Sequence, residues 1–168
     1  VLRGWNAVRP FPLRTTRAEG SHCAPFLDDL LEDALPCLRA LGSVSVREAD
    51  DLDPVQNEAL KSLWSILRRL PSRGKASAVG ITKAVMLLTR GRIGPALDSK
   101  VCQSLNVQKP EDADQWLELL QGICRDIASF ESRHGLPLEA VVPKEWPPIA
   151  VGRTYDMIAW VGVSSAGD

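Results

Sequence analysis

Histidine is nearly absent from this chain, and its cysteines are few and scattered. His22 and His134 are the only imidazoles among 168 residues, and Cys23, Cys37, Cys102 and Cys124 form no Cys-x-x-Cys pair. Tetrahedral metal sites draw on Cys and His at short recurring spacings. This pattern therefore excludes a metal centre, and no cofactor motif accompanies it. The cysteines read instead as buried free thiols of a cytoplasmic protein. No apolar run approaches the about 20 residues that span a bilayer, so no membrane association is expected, and no signal peptide is recognisable. Net charge is lacking too. Twenty Lys and Arg against twenty-one Asp and Glu leave a formal −1, which argues against a protein that coats DNA nonspecifically. Strand patterns are scarce, since only residues 44–46 and 160–163 can pair briefly, and there is no internal repeat.

What is present is an ordinary globular composition, 45% apolar and 24% charged, in a length that suits one domain with one sizeable core. The charges are segregated. Residues 28–58 carry nine acids against Arg39 and Arg47. Residues 61–109 carry ten Lys or Arg and a single acid, Asp98. From residue 110 onward ten acids face Arg125, Arg133, Lys144 and Arg153. A neutral chain with one basic stripe fits a face that meets phosphates. It equally fits a stripe that pairs with the acidic segments inside the fold.

The apolar period is helical almost throughout, and the fold class is all-α. Residues 1–25 have no period and read as an irregular arm around Trp5 and Phe11; residues 26–163 read as a single helical domain. Residues 25–41 place Leu27, Leu30, Leu31, Leu35, Leu38 and Leu41 at helical spacing, with a kink expected at Pro36 and a stop at Gly42. Residues 44–51 form a short helix or turn. Asp53-Pro54 is an N-cap followed by proline at the first helical position, and that helix runs to about Leu70. Ser77 caps a helix ending at Gly91, and Asp98 or Ser99 caps a short one ending at Asn106. Pro110 opens a long amphipathic helix that Gly135 ends. Residues 136–148 are irregular, and residues 152–160 form a last helix that buries Tyr155, Ile158, Ala159 and Trp160.

The stretch at residues 79–101, VGITKAVMLLTRGRIGPALDSKV, carries the candidate site. A glycine turn between helices can aim N–H groups at a phosphate. Lys83, one turn into the helix, can hold a phosphate or attack a sugar carbon. Asp98, at the next helix start, can act as base or simply cap the helix. Arg68, Arg69, Arg73, Lys75, Arg90, Arg92 and Lys100 make up the basic surface around them. Arg153 and Asp156, three apart on a helix, form an ion pair by default. Trp5 and Trp146 are the tryptophans free of an apolar stripe and suited to stacking on a base.

Val79-Gly80-Ile81-Thr82-Lys83-Ala84 together with Pro95-Ala96-Leu97-Asp98-Ser99-Lys100-Val101 resembles the helix-hairpin-helix DNA glycosylase superfamily over about 25 residues. In that superfamily a Gly-hydrophobic-Gly hairpin leads into a helix bearing a lysine, and a Pro-x-Asp-Thr/Ser-x-Val segment carries an aspartate. The resemblance implies a helical glycosylase-like body with Lys83 and Asp98 as catalytic residues. Aligned on Gly80, however, Thr82 takes the nucleophile position, and one residue on a helix is about 100° of rotation, so Lys83 is expected to point elsewhere. A broader likeness, from about residue 30 to 161, is to uncharacterised bacterial proteins of unknown function. It rests on Thr82-Lys83, Asp98-Ser99 and the spacing Arg153, Asp156, Trp160.

Three functions follow from these residues. The first is a non-catalytic nucleic-acid-binding helical domain, with DNA or another nucleic acid on the surface of residues 68–100. The second is a glycosylase or lyase-like enzyme that uses Lys83 and Asp98. The third is a structural or protein-interaction domain, homodimeric in one form, whose basic middle meets acidic helices. The sequence leaves open whether the protein is an enzyme.

Overall fold

A computed structural model describes residues 27–70 and 76–162. Six α-helices make up its regular structure: α1 (Leu27–Leu41), α2 (Pro54–Leu67), α3 (Ala78–Leu88), α4 (Ser99–Ser104), α5 (Ala113–His134) and α6 (Val151–Gly162). Two single 3-10 turns, Val46–Glu48 and Leu138–Val141, join them. The described residues contain no strand, so the pairing expected of residues 44–46 with 160–163 does not form. Ser45 instead caps the first 3-10 turn in a reciprocal box with Glu48, and Trp160 lies within α6. The arm at residues 1–25, with Trp5, Cys23 and His22, lies outside the described residues, as do Arg73 and Lys75.

Local chemistry explains most helix ends. Asp53 accepts the Gln56 N–H at 2.8 Å while the Gln56 side chain accepts the Asp53 N–H at 3.1 Å, a capping box with proline at the first position. The long helix starts at Ala113 rather than Pro110, because the Asp112 carboxylate accepts the Gln115 N–H at 2.9 Å and sets the boundary there. It stops at Gly135, whose φ of 66° is left-handed. Helix α4 ends with Asn106 at φ 51°, the Val107 N–H reaching back to the Cys102 carbonyl at 3.0 Å. Helix α1 continues through Pro36 as one element.

One core joins the helices. Leu30, Ala34, Cys37 and Leu41 of α1 face Ala59, Leu60, Leu63 and Leu67 of α2, and these two helices pack most extensively. Leu31 and Leu35 point outward at 38% and 43% exposure. The buried stripe is the narrower i, i+4, i+7, i+11 row, the one that α2 covers. Trp64 of α2 stacks on Trp116 of α5, centroids 5.4 Å apart. Arg47 ties the first 3-10 turn to α5 and the second turn, donating to Glu131 at 2.5 Å and Glu139 at 2.6 Å.

Helix α6 lies against the loop between α3 and α4 at backbone contact. A Cβ on Gly152 would sit 2.7 Å from the Arg92 carbonyl and the Gly94 nitrogen, and 2.8 Å from the Gly91 carbonyl. No other residue fits there. This contact rotates Gly152, Asp156 and Ala159 inward. It leaves Ile158 and Trp160, both expected to be buried, at 45% exposure each. Tyr155 is half-buried, and its hydroxyl donates to Asp126 at 2.8 Å.

Candidate functional site

The loop at residues 89–98 is held by three polar side chains. Thr89 Oγ1 donates to the Val85 carbonyl at 2.9 Å and accepts the Ile93 N–H at 3.2 Å. Asp156 of α6 accepts the Ala96 N–H at 2.9 Å. Thr82 of α3 donates to the Ala78 carbonyl at 2.9 Å and accepts the Leu97 N–H at 3.0 Å. All three side chains belong to buried residues, so each bond replaces a desolvated orphan. The loop thus delivers Asp98 in a defined place. Its Oδ1 accepts the N–H groups of Lys100 and Val101, both at 3.0 Å, and caps α4.

A cleft of about 410 Å³ opens between these elements. Helix α3 contributes Lys83 and Met86, the loop contributes Ala96 and Asp98, and α6 contributes Arg153, Asp156, Met157, Trp160 and Val161. Lys83 and Asp98 therefore share one cleft. Thr82, which the glycosylase alignment puts at the nucleophile position, is turned into the fold, 1% exposed and bonded to the loop. One residue of rotation brings Lys83 to the cleft wall.

Electrostatics set the rest. Asp156 is 5% exposed and ion-paired with Arg153. Burial pushes its carboxyl above the usual range, the Ala96 N–H and Arg153 pull it back, and the nearby Asp98 charge raises it again. Arg153 is half-buried. Lys100, from α4, places its Nζ 3.9 Å from the centroid of the Trp160 ring, a cation–π contact at the cleft edge. A second cavity of about 250 Å³ shares Met86 and Arg153 with the first. Among the described residues no group of three or more His, Cys, Asp or Glu is placed to hold a metal ion.

The family model of DUF6308, a family of unknown function, matches residues 15–162. The chain belongs to that family. No curated protein and no solved structure matches it. The match takes in every described helix of this DUF6308 chain, and it reaches further toward the N-terminus than the expected span from residue 30 to 161, into residues read as an irregular arm.

Among the described residues, several cations of the predicted basic stripe have partners within the fold. Arg69 pairs with Asp33 of α1 at 2.5 Å, and Lys61 with Asp114 of α5 at 2.5 Å. Arg68 donates to the Glu111 carbonyl at 3.2 Å. Arg92 is half-buried, and its Nε is buried without a partner. Part of the stripe thus pairs with acidic helices of the same chain. Lys83, Lys100 and Arg90 are the predicted cations at or beside the two cavities. Trp146 is 49% exposed, in line with a surface role, but it lines a separate apolar groove with Val141 and Ile158. The sequence reading took Arg153 and Asp156 as an ion pair, placed Trp160 in the core, and used the three together for a family likeness without assigning them to a site. The usable signal was their i, i+3, i+7 spacing, which puts all three on one helix face. In this DUF6308 chain that face looks into the cleft.

Proposed function

We propose that this protein binds nucleic acid by taking a nucleotide into the cleft between α3 and α6. The observation that carries the reading is the lining of that cleft: Lys83 and Arg153, the latter ion-paired with Asp156, lie with Asp98 beside an apolar wall of Met86, Met157 and Trp160. A nucleotide presents the same two chemistries, an anionic phosphate and a planar, largely apolar base. The cleft volume falls in the range of small-ligand sites. The resemblance of residues 79–84 and 95–101 to helix-hairpin-helix glycosylases supports the same class of ligand.

Fluorescence anisotropy with a labelled single-stranded oligonucleotide tests this. Binding should weaken as salt rises, and Lys83→Ala should lower affinity and reduce the logarithmic salt slope by about 0.7, the value for one phosphate contact on a single strand. Absence of binding at low salt, or binding indifferent to Lys83→Ala, overturns it.

A second reading is favoured by the meeting of Lys83 with Asp98 in one cleft. In it Lys83 Nζ bonds to the anomeric carbon of a nucleotide as the base departs, and Asp98 orients the sugar or the amine. Borohydride trapping on damaged-base and abasic substrates reads this directly. An adduct lost in Lys83→Ala establishes the enzyme; no adduct on any substrate leaves the binding reading alone.

A further inference from the structure

We infer that the ligand is a single strand at least two nucleotides long, and that Arg90 holds the phosphate of the second nucleotide. This rests on the nucleotide-cleft reading above and extends it to the neighbouring cavity. That cavity, of about 250 Å³, is formed by Leu87, Arg90 and Gly91 at the end of α3 and by Pro148, Ile149 and Ala150 before α6. It shares Met86 and Arg153 with the cleft. Lys83 thus lines the first cavity with Asp98 and Asp156, Arg153, ion-paired with Asp156, lines both, and Arg90 lines the second. A run of cations beside apolar walls suits a phosphodiester strand.

The backbone at Arg90 makes the assignment specific. Helix α3 ends in a Schellman turn: the Gly91 N–H reaches the Met86 carbonyl at 2.7 Å and the Arg90 N–H reaches the Leu87 carbonyl at 3.1 Å. The residue after the cap in this motif is left-handed and is usually glycine. Here it is Arg90, at φ 54°. Its side chain has no hydrogen-bond or ion-pair partner among the described residues, so no contact within the described fold accounts for an arginine in this conformation. An outlier of this kind points to function. Gly91 follows at φ 80°, with no room for a Cβ because Arg153 Cβ would lie 2.9 Å away. The turn that carries Arg90 is thereby packed against the base of Arg153. Successive nucleotides of one strand can enter adjacent chambers only when unstacked from a complement, which selects single strands over duplex.

The experiment compares thymidine 5′-monophosphate, the 5′-phosphorylated dithymidine, and a labelled oligo-dT with its duplex, by calorimetry and competition. The native protein should bind the dinucleotide about tenfold more tightly than the mononucleotide, as one charge-assisted contact predicts, and should prefer oligo-dT to its duplex. Arg90→Gly removes the guanidinium and leaves a residue that adopts φ 54° without strain, so the fold is retained, which an unchanged melting curve verifies. In that variant the ratio of dinucleotide to mononucleotide affinity should fall toward one, and Arg90→Lys should restore part of it. Lys83→Ala should weaken both ligands equally. Mononucleotide binding with no dinucleotide gain, a gain that survives Arg90→Gly, or a preference for duplex overturns this inference alone. No binding of any of these ligands overturns it together with the reading beneath it.

Discussion

The Asp156 carboxylate on α6 accepts the N–H of Ala96, sixty residues earlier, at 2.9 Å. This bond, with the ion pair to Arg153, joins the cleft's two walls. Asp156→Ala should cost about 3 kcal/mol, because it leaves a buried N–H unsatisfied and Arg153 without its partner. Asp156→Asn keeps an acceptor for Ala96 and should cost less than half as much. Urea unfolding of both variants decides it, and equal losses would show that the Ala96 bond contributes nothing.

Two glycines should respond to alanine with opposite signs. Gly152→Ala drives a Cβ into three backbone atoms at 2.7–2.8 Å, and backbone cannot step aside as a flexible side chain does. We expect a loss of about 3 kcal/mol, at the upper end of overpacking. Gly122 is in the middle of α5 with nothing within 4 Å of its would-be Cβ. Gly122→Ala should therefore stabilise by about 0.5–1 kcal/mol through helix propensity alone. Thermal denaturation of the pair measures both.

Acid stability should be governed by Arg47. Its guanidinium holds the Glu131 and Glu139 carboxyls below the usual range. The stabilisation from a lowered acid is fully present above the unfolded value, about 4.3 for Glu, and is lost as pH falls through the folded values. Asp156 works in the opposite direction. Burial raises its folded value, so its contribution is present below about 3.9 and is lost as pH rises through the folded value. With two acids lowered against one raised, stability should decline on acidification below about pH 4.3. Arg47→Ala should cost about 2 kcal/mol near neutrality and flatten that decline. A variant whose acid profile parallels the native one would refute the assignment.

Thiol reactivity should be low. Cys37, Cys102 and Cys124 are free and buried, burial raises the first two thiols, and the Cys124 Sγ donates to the Arg47 carbonyl at 3.0 Å. A disulfide reagent should therefore label no more than one of the four cysteines quickly in native protein and all four in guanidinium. Rapid labelling of two or more would contradict this packing.

Helix termini were legible because the chemistry that makes them is local. Asp53, Ser77, Asp98, Asn106 and Gly135 each act on residues within one turn, so the all-α class and most element boundaries could be read directly. The buried faces were less legible. Leu31, Leu35, Ile158 and Trp160 have the right residue type and period for a core, yet each is at least 38% exposed. Period identifies an apolar face without saying how much of it a neighbour covers.

The linear chain by itself determined the helices, their caps, the segregation of charge and the family membership over residues 15–162. Only the tertiary structure decided which cations meet a concave surface and which pair with Asp33 or Asp114. It also decided that Lys83 lines the same cleft as Asp98 while Thr82 turns into the fold. The physical reason is range. Caps and periods act over one or two turns, whereas the cleft exists because Gly152 lets α6 touch the 91–94 backbone and Asp156 bonds Ala96 across sixty residues, contacts that depend on where the two segments come to rest.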